Sequence, residues 1–503
     1  MLRSATPGLT ALLGGALLAA AFAIEPAWPA VFLAVAGFVL SLEWSESRPR
    51  ALSHAALFGW AAYVGGFHWI QPTLALFWEG RVVLSWMVWL LWGAVVTLRF
   101  VAIGWIYRAL RQRNVGIFGS LLLPWLTVEW LYPSLFPFYL ANPLVDQSLL
   151  VQAAALGGPL LVSAWVCGVS AIIAEGALWL AQRRPIARTH WSAVFVATLA
   201  LLLHGWHSVG TLEQRLTAAP TVTVGVVQAN VDVMQKRTER RLVHRHYAER
   251  SRALETRAKV DLLVWPETSY LRALPVELPT TGGEVRGDLR APLLFGGIRV
   301  QTDRGRRERF NSAMLVEPDG MIRSAYDKRF LIPFAEFIPL GDRIEWWSQA
   351  APTLSRFRPG ERFASLRFGQ WRIATPICYE TIRPEYVRRL VGASGAHLLV
   401  SLTNDGWFGD SAEPRLHLAL ARFRAIEHRR YLVRATNTGI SAIVDPAGRI
   451  VAQSGLFEPA TLIHPVHMLD ETTIYAALGD WPGYVAATVL LWVYVRRRRQ
   501  GTR

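Results

Sequence analysis

The chain has 503 residues, of which 52% are hydrophobic and 22 are tryptophan, a composition too apolar for a purely water-soluble protein. Arg and Lys outnumber Asp and Glu by 53 to 37, a formal charge of +16, which suits nucleic acid, an anionic membrane surface or the loops of a membrane protein. Two cysteines exclude a disulfide framework, and no Cys/His cluster has zinc spacing, so neither a metal nor another cofactor is expected.

Apolar stretches of about 20 residues, enough to cross a ~30 Å hydrocarbon core, recur from the start of the chain. Seven spans are predicted near 8–25, 27–43, 52–76, 83–106, 115–133, 150–180 and 191–208, and an eighth near 474–495. The first lacks a small-residue cleavage signature and is read as a retained span. The 150–180 stretch is longer than one crossing needs, which predicts tilt or an interfacial turn. With the N-terminus inside, the inner loops and tails hold Arg3, Arg48, Arg50, Arg108, Arg111, Arg113, Arg183, Arg184, Arg188, Arg496 to Arg499 and Arg503. The short outer loops hold only Arg81. That asymmetry follows the positive-inside rule and accounts for much of the charge without nucleic acid. It predicts a transmembrane domain over 1–210, an outer domain over 220–470, a last helix at 474–495 and a basic cytoplasmic tail at 496–503. Both termini are then cytoplasmic.

Arg99, Glu129 and Glu175 fall inside predicted spans, where an ionisable group costs about 2.5–3.5 kcal/mol unless it faces a partner or a cavity. An Arg99–Glu129 ion pair between helices is one reading, and a polar seat for a lipid headgroup is the other.

From Pro220 the pattern changes. "TVTVGVVQANV" reads as a buried strand, a charged helix is predicted over Gln235–Lys259, and "VDLLVWPET" reads as a strand ending at Glu267. "APLLFGGIRV", "RFNSAMLVEPDG", "WRIATPICYE", "AHLLVSLTNDGWFG" and "RRYLVRATNTGISAIVDPAGRI" continue the series, with a helix over 411–429 interleaved. Alternating strands and helices predict one α/β domain. The basic run from Lys236 to Lys259 is read as a solvated helix face, with contact to anionic headgroups as the sharper alternative.

Three motifs offer reactive groups: "LLVWPETSY" with Glu267, "YDKRFLIPFAEFIPLGD" with Lys328 and Glu336, and "TPICYE" with Cys378. Singly, each has a bland reading as a turn carboxylate, an exposed lysine or a small buried thiol. As a set they supply what thiol chemistry needs: a nucleophile, a carboxylate to take its proton, and a cation for the oxyanion.

In this order the motifs resemble the Glu-Lys-Cys triad of the nitrilase (carbon–nitrogen hydrolase) superfamily, across about 220–465. The resemblance implies a four-layer αββα sandwich. Together with the membrane spans and "TNDGWFGDSAEPRLHLALARFRAIEHRRYLVRATNTGISAIVDPAGRI", it extends over nearly the full length to the apolipoprotein N-acyltransferase family. Carried over, Glu267 is the general base, Lys328 the oxyanion stabiliser and Cys378 the acyl acceptor. Glu336 and Glu380 orient Lys328 and the active-site loop, with Tyr379 alongside. Asn404 and Trp407, Phe408 and Gly409 shape the pocket. Trp346 and Trp347 either seat at the membrane interface as a lid or pack in the sandwich core. The chain departs from the family at "QANVDVMQKR", where members carry "QxNIPQxxKW": Asp232 replaces the proline and Arg237 the tryptophan.

The resemblance implies a ping-pong transfer in a bacterial inner membrane, with the catalytic domain on the periplasmic side. An sn-1 acyl chain would pass from a phospholipid to Cys378, and then to the N-terminal amine of a diacylated apolipoprotein. Membrane lipids are the other expected partners, and a monomer is expected. Three rivals differ in class: a membrane-anchored amidase using water as acceptor, a non-catalytic lipoprotein-binding protein, and a transporter. The last is weakened because no inverted repeat is visible among the spans.

Overall fold

The computed structural model describes residues 2–77, 80–232, 239–277, 282–303, 305–333, 336–337 and 357–500. The chain divides into two compact units, one of Met1–Leu74, Arg81–Gly210 and Ala477–Arg503, the other of Ala75–Gly80 and Thr211–Ala476.

The first unit is helical. Among the described residues, four windows are long and apolar enough to cross a membrane: Thr6–Ala23, Val82–Arg111, Val151–Gln182 and Arg188–Ala218. The stretches expected near 27–43 and 115–133 form shorter apolar helices, Ala30–Glu43 and Ile117–Leu131. The one expected over 52–76 forms two helices, Arg48–Phe67 and Ile70–Phe77. The long stretch near 150–180 is a helix, Ala154–Gln182, kinked at Gly157 and Gly158 just ahead of Pro159. Gly158 sits at φ 66° and ψ −168°, a conformation open essentially to glycine alone. The stretch expected as one helix over 474–495 is broken in two. A short helix, Ile474–Leu478, ends at Gly479, and Trp481–Gln500 follows with Pro482 in its first turn, where a missing N–H costs nothing.

Phe38, Phe58, Phe100 and Trp125 pack edge to face in this unit, with the Phe38 and Phe58 ring centroids 4.9 Å apart. Arg99 and Glu129 are both buried, with Nη2 3.4 Å from Oε1, so the ion-pair reading describes the arrangement. Arg99 also donates to the Phe138 carbonyl at 2.9 Å, and Glu129 accepts the Leu140 N–H at 2.9 Å. The pair thereby ties the aromatic segment after residue 132 to two helices. Glu175 accepts the Trp191 indole N–H at 3.2 Å and lies 3.1 Å from His190 Nδ1.

The described residues of the second unit form thirteen strands. They are β1 (Thr221–Gln228), β2 (Leu262–Val264), β3 (Tyr270–Pro275), β4 (Leu293–Asp303), β5 (Arg306–Val316), β6 (Ile322–Asp327) and β7 (Leu366–Phe368). After these come β8 (Trp371–Ala374), β9 (Leu398–Thr403), β10 (Leu432–Thr436), β11 (Ala442–Val444), β12 (Ile450–Gln453) and β13 (Ala460–His467). One sheet has the order β13-β1-β2-β4-β5-β6 with β3 beside β4, and the other runs β12-β11-β10-β9-β8-β7. β1, β2 and β4 are mutually parallel, as are β8, β9 and β10. Central parallel strands are covered on both faces, which is why β9 and β10 are buried at every position.

Val224, Val226, Leu262 and Leu294 of the first sheet share a core with Ile373, Val400, Leu402 and Leu432 of the second. Burying each such side chain contributes about 1.5–3 kcal/mol. Leu390 of the helix Pro384–Ser394 and Leu418 of Glu413–His428 join that core. Beside the first sheet, Val243, Tyr247 and Leu254 of Arg240–Arg257 pack with Val227, Leu263, Trp265 and Phe295. The result is the expected αββα sandwich. On Arg240–Arg257 the inward residues recur at helical spacing while Arg240, Arg241 and Arg245 are exposed, the pattern of a solvated face.

Candidate active site

The reactive side chains collect at the ends of three strands, two with parallel partners and one, β6, antiparallel to its neighbour. β2 leads through buried Trp265 and Pro266 to Glu267, β6 leads to Lys328, and the segment after β8 leads to Cys378. Gly296 on β4 makes room for the first of these turns: a Cβ there would lie 2.6 Å from both Glu267 Cα and the Pro266 carbonyl oxygen. Thr268 takes φ 49° and Cys378 φ 52°. Left-handed backbone is a strained conformation for both residue types, and strain of this kind clusters at functional sites.

Lys328 is 1% exposed. Its ammonium donates to Glu336 Oε1 at 2.8 Å and reaches Glu267 Oε1 at 3.4 Å. Burial works against the ammonium, but Glu336 and then Glu267 hold its pKa well above the usual lysine value. That stabilisation is complete below the unfolded pKa of about 10.4 and is lost only as pH rises through the higher folded value. The lysine is therefore charged at neutral pH.

Asn311 on β5, 2% exposed, completes the arrangement. Its Nδ2 donates to Glu267 Oε1 at 2.7 Å and to Glu336 Oε1 at 3.1 Å, and its backbone carbonyl accepts the Lys328 backbone N–H at 2.8 Å. Glu336 is fixed further by Oε2, which accepts the Ile332 N–H at 2.9 Å.

Burial pushes the Cys378 thiol well above its ordinary pKa; Glu267, Asp405 and Glu336 add to that, and Lys328 opposes it. The resting sulfur is a neutral thiol that needs a base at the moment it reacts. Glu380, fully buried, joins the two halves of the site. Oε1 accepts the Arg329 and Phe330 N–H groups at 2.7 and 2.9 Å, and Oε2 accepts the Ile377 N–H and the Tyr326 hydroxyl, each at 2.9 Å. One carboxylate thus sets the segment after Lys328 against the turn holding Cys378. Tyr379 is buried 5.5 Å from the Phe330 ring, and Arg383 donates to its hydroxyl at 3.3 Å.

Asn404 follows β9 and is buried; Trp407 and Phe408 are half-buried, and Gly409 is exposed at φ 62°. Trp346 and Trp347, and the loop from residue 233 to Arg237, lie outside the described residues. Beside Asn404, Asp405 forms a buried network that the sequence reading did not single out. Arg434 Nη2 donates to Asp405 Oδ2 at 2.7 Å, and His417 Nδ1 lies 3.2 Å from Asp405 and 3.3 Å from Glu413. Burial first, then Asp405, pushes the Glu413 pKa up to about 7. Asp405, Glu413 and His417 bring donor atoms within 4.8 Å of one another, but the Arg434 guanidinium already supplies the positive charge that faces Asp405.

Residues 223–473 match the carbon–nitrogen hydrolase family, and the facing mixed sheets with helices outside them have that class of fold. A thiol, a lysine and carboxylates at the strand ends are a site this fold can use for acyl chemistry. Residues 14–172 match the apolipoprotein N-acyltransferase N-terminal domain. The apolipoprotein N-acyltransferase of Pseudomonas syringae pv. tomato is 31% identical over 99% of this chain and 98% of its own length. That of Rhodopseudomonas palustris is 32% identical over 98% and 95%. Among solved structures, Saccharomyces cerevisiae Nit3, of the nitrilase superfamily, is similar at 19% identity and TM-score 0.38 over 52% of this chain and 94% of its own. The chain belongs to the apolipoprotein N-acyltransferase family.

Proposed function

We propose that the chain moves an acyl chain from the sn-1 position of a phospholipid, through a thioester on Cys378, to the α-amino group of a diacylglyceryl-modified N-terminal cysteine. In the first step Glu267 takes the thiol proton as Sγ attacks the ester carbonyl. The tetrahedral oxyanion is met by the Lys328 ammonium. Collapse breaks the C–O bond, Glu267 returns its proton to the leaving oxygen, and a lysophospholipid departs. In the second step the α-amine attacks the thioester carbonyl, Glu267 takes the amine proton, and collapse breaks the C–S bond. The proton passes to Sγ and an amide is released.

The convergence of Glu267, Lys328 and Cys378 from three separate strand ends carries this reading. Asn311, Glu336 and Glu380 act as positioning groups: the first two hold the Glu267 and Lys328 heads, and the third holds the backbone on either side. Half-buried Trp407 and Phe408 line the acyl path. The arginine distribution supports a periplasmic catalytic unit with both termini in the cytoplasm, and a monomer suffices for the chemistry. Because both substrates are lipid-anchored, membrane attachment brings them to the thiol, and excluding water protects the thioester.

Incubation of the full chain with phospholipid alone is expected to add one acyl mass to the peptide containing Cys378, and Glu267→Gln is expected to abolish the adduct. An adduct elsewhere, or an undiminished one in Glu267→Gln, would remove Cys378 or Glu267 from the proposed roles.

A further inference from the structure

Seven non-glycine residues among those described have positive φ: Asn114, Arg183, Asn230, Thr268, Cys378, Arg429 and Phe457. Arg183 and Arg429 end helices, Asn114 is a residue type that tolerates this region, and Thr268 and Cys378 belong to the site. Asn230 and Phe457 remain, and they are joined: Asn230 Nδ2 donates to the Phe457 carbonyl at 2.8 Å. A phenylalanine at φ 53° is an outlier, since glycine or asparagine makes the same turn with less strain. Phe457 does not recover that cost by complete burial, because 40% of its surface is open.

The loop carrying it is firmly held. Phe457 N–H donates to the Thr438 carbonyl at 2.8 Å. Gln228, 1% exposed, donates from Nε2 to the Gly455 carbonyl at 3.0 Å and the Glu458 carbonyl at 2.9 Å. Glu458 Oε1 accepts the Gly455 N–H at 2.8 Å. The loop also lies at the reactive end of the sandwich. Gln228 ends β1 opposite Ala460, and Asn230 donates to the Asn437 carbonyl beyond β10 at 3.0 Å. Two residues further on, Gly439 packs so closely on Asp405 that a Cβ would lie 2.2 Å from Oδ2. Asp405 in turn bears on the Cys378 thiol.

We propose that Phe457 is a substrate-contacting residue whose phenyl ring packs against a fatty acyl chain at the catalytic end of the sandwich. A rigid loop and a strained backbone keep an apolar ring partly in the open at the same end as the thiol, an arrangement that folding alone does not require. The proposal rests on the acyl-transfer reading and supplies a determinant of chain length within it. The chain contacted belongs either to the phospholipid donor or to the diacylglyceryl acceptor, and the two half-reactions separate these sources.

The test compares the full-length wild type with Phe457→Asn, which tolerates the left-handed backbone, and Phe457→Leu, which keeps an apolar side chain. Thioester formation is followed with dihexanoyl and dipalmitoyl phosphatidylethanolamine. Transfer from pre-acylated enzyme is followed with lipopeptides carrying short or long diacylglyceryl chains. Phe457→Asn is expected to melt no lower than wild type yet to lose about tenfold in kcat/KM on the long-chain substrate of one half-reaction. It is expected to keep its rate on the short-chain counterpart, with Phe457→Leu in between. Loss in the first half-reaction assigns the ring to the donor, and loss in the second assigns it to the acceptor. Equal rates in all variants, equal losses at both chain lengths, or a lowered Tm in Phe457→Asn would overturn the proposal alone. A wild type that forms no thioester would overturn the acyl-transfer reading itself, and this proposal with it.

Discussion

Cys378→Ala is expected to lower acyl transfer by on the order of 10⁴-fold or more, because it removes the proposed acyl carrier while leaving Glu267 and Lys328 in place. The substitution removes one sulfur from a well-packed cluster, and alanine fits the volume, so the fold is expected to survive. Cys378→Ser is the sharper variant. It restores an oxygen nucleophile of far higher pKa, which a carboxylate base serves poorly, and its transfer is expected to remain close to that of alanine. Cys167, 1% exposed within the helix Ala154–Gln182, is the internal control, and Cys167→Ala is expected to leave transfer unchanged. Rates measured with phospholipid donor and diacylated lipopeptide, with melting curves alongside, check all three variants.

Lys328→Met is expected to cost on the order of 10³-fold in kcat, with a second signature in stability. Removing a cation aimed at a developing oxyanion costs about 10²–10³ alone. Here the same ammonium also faces Glu336 at 2.8 Å and Glu267 at 3.4 Å. Without it, two carboxylates share a buried site through Asn311, and one of them takes up a proton. That raises its folded-state pKa above the unfolded value, so the variant gains stability as pH falls and loses it as pH rises. At neutral pH the unpaired charge is expected to cost about 3–5 kcal/mol. Chemical denaturation of Lys328→Met at pH 5 and pH 8 is expected to show the acid sample as the more resistant relative to wild type.

Much of the site was legible because its residues follow apolar strands. Glu267 comes directly after "LLVWP", and Cys378 follows the strand in "WRIATPICYE". The left-handed backbone at Cys378 and Thr268 was not legible, since neither residue type favours it and tertiary packing imposes it. Asn311 was hidden for a related reason. It sits in "RFNSAML", where an Asn-Ser pair within a strand carries no sign of a reactive site, and only the fold turns Asn311 toward two carboxylates. Among the strands, β13 was missed because "ATLIHPVH" carries Pro465 and two histidines. Among the described strands it pairs with β1 alone, at the end of its sheet, the place where a strand tolerates proline. The break before the last helix was present in the sequence as Gly479, Asp480, Pro482 and Gly483, but the apolar residues on both sides drew the predicted span across it.

The central claim is that the acyl group resting on Cys378 passes to an amine rather than to water. Wild-type protein acylated by phospholipid, freed of excess donor, can be chased in two portions, one with buffer and one with a diacylated lipopeptide, and both followed by intact mass. The acyl mass is expected to persist in buffer and to leave promptly with lipopeptide, reappearing as an N-acyl amide on the peptide. Equal loss in both portions, with free fatty acid as the product, would contradict the claim and make the chain a hydrolase.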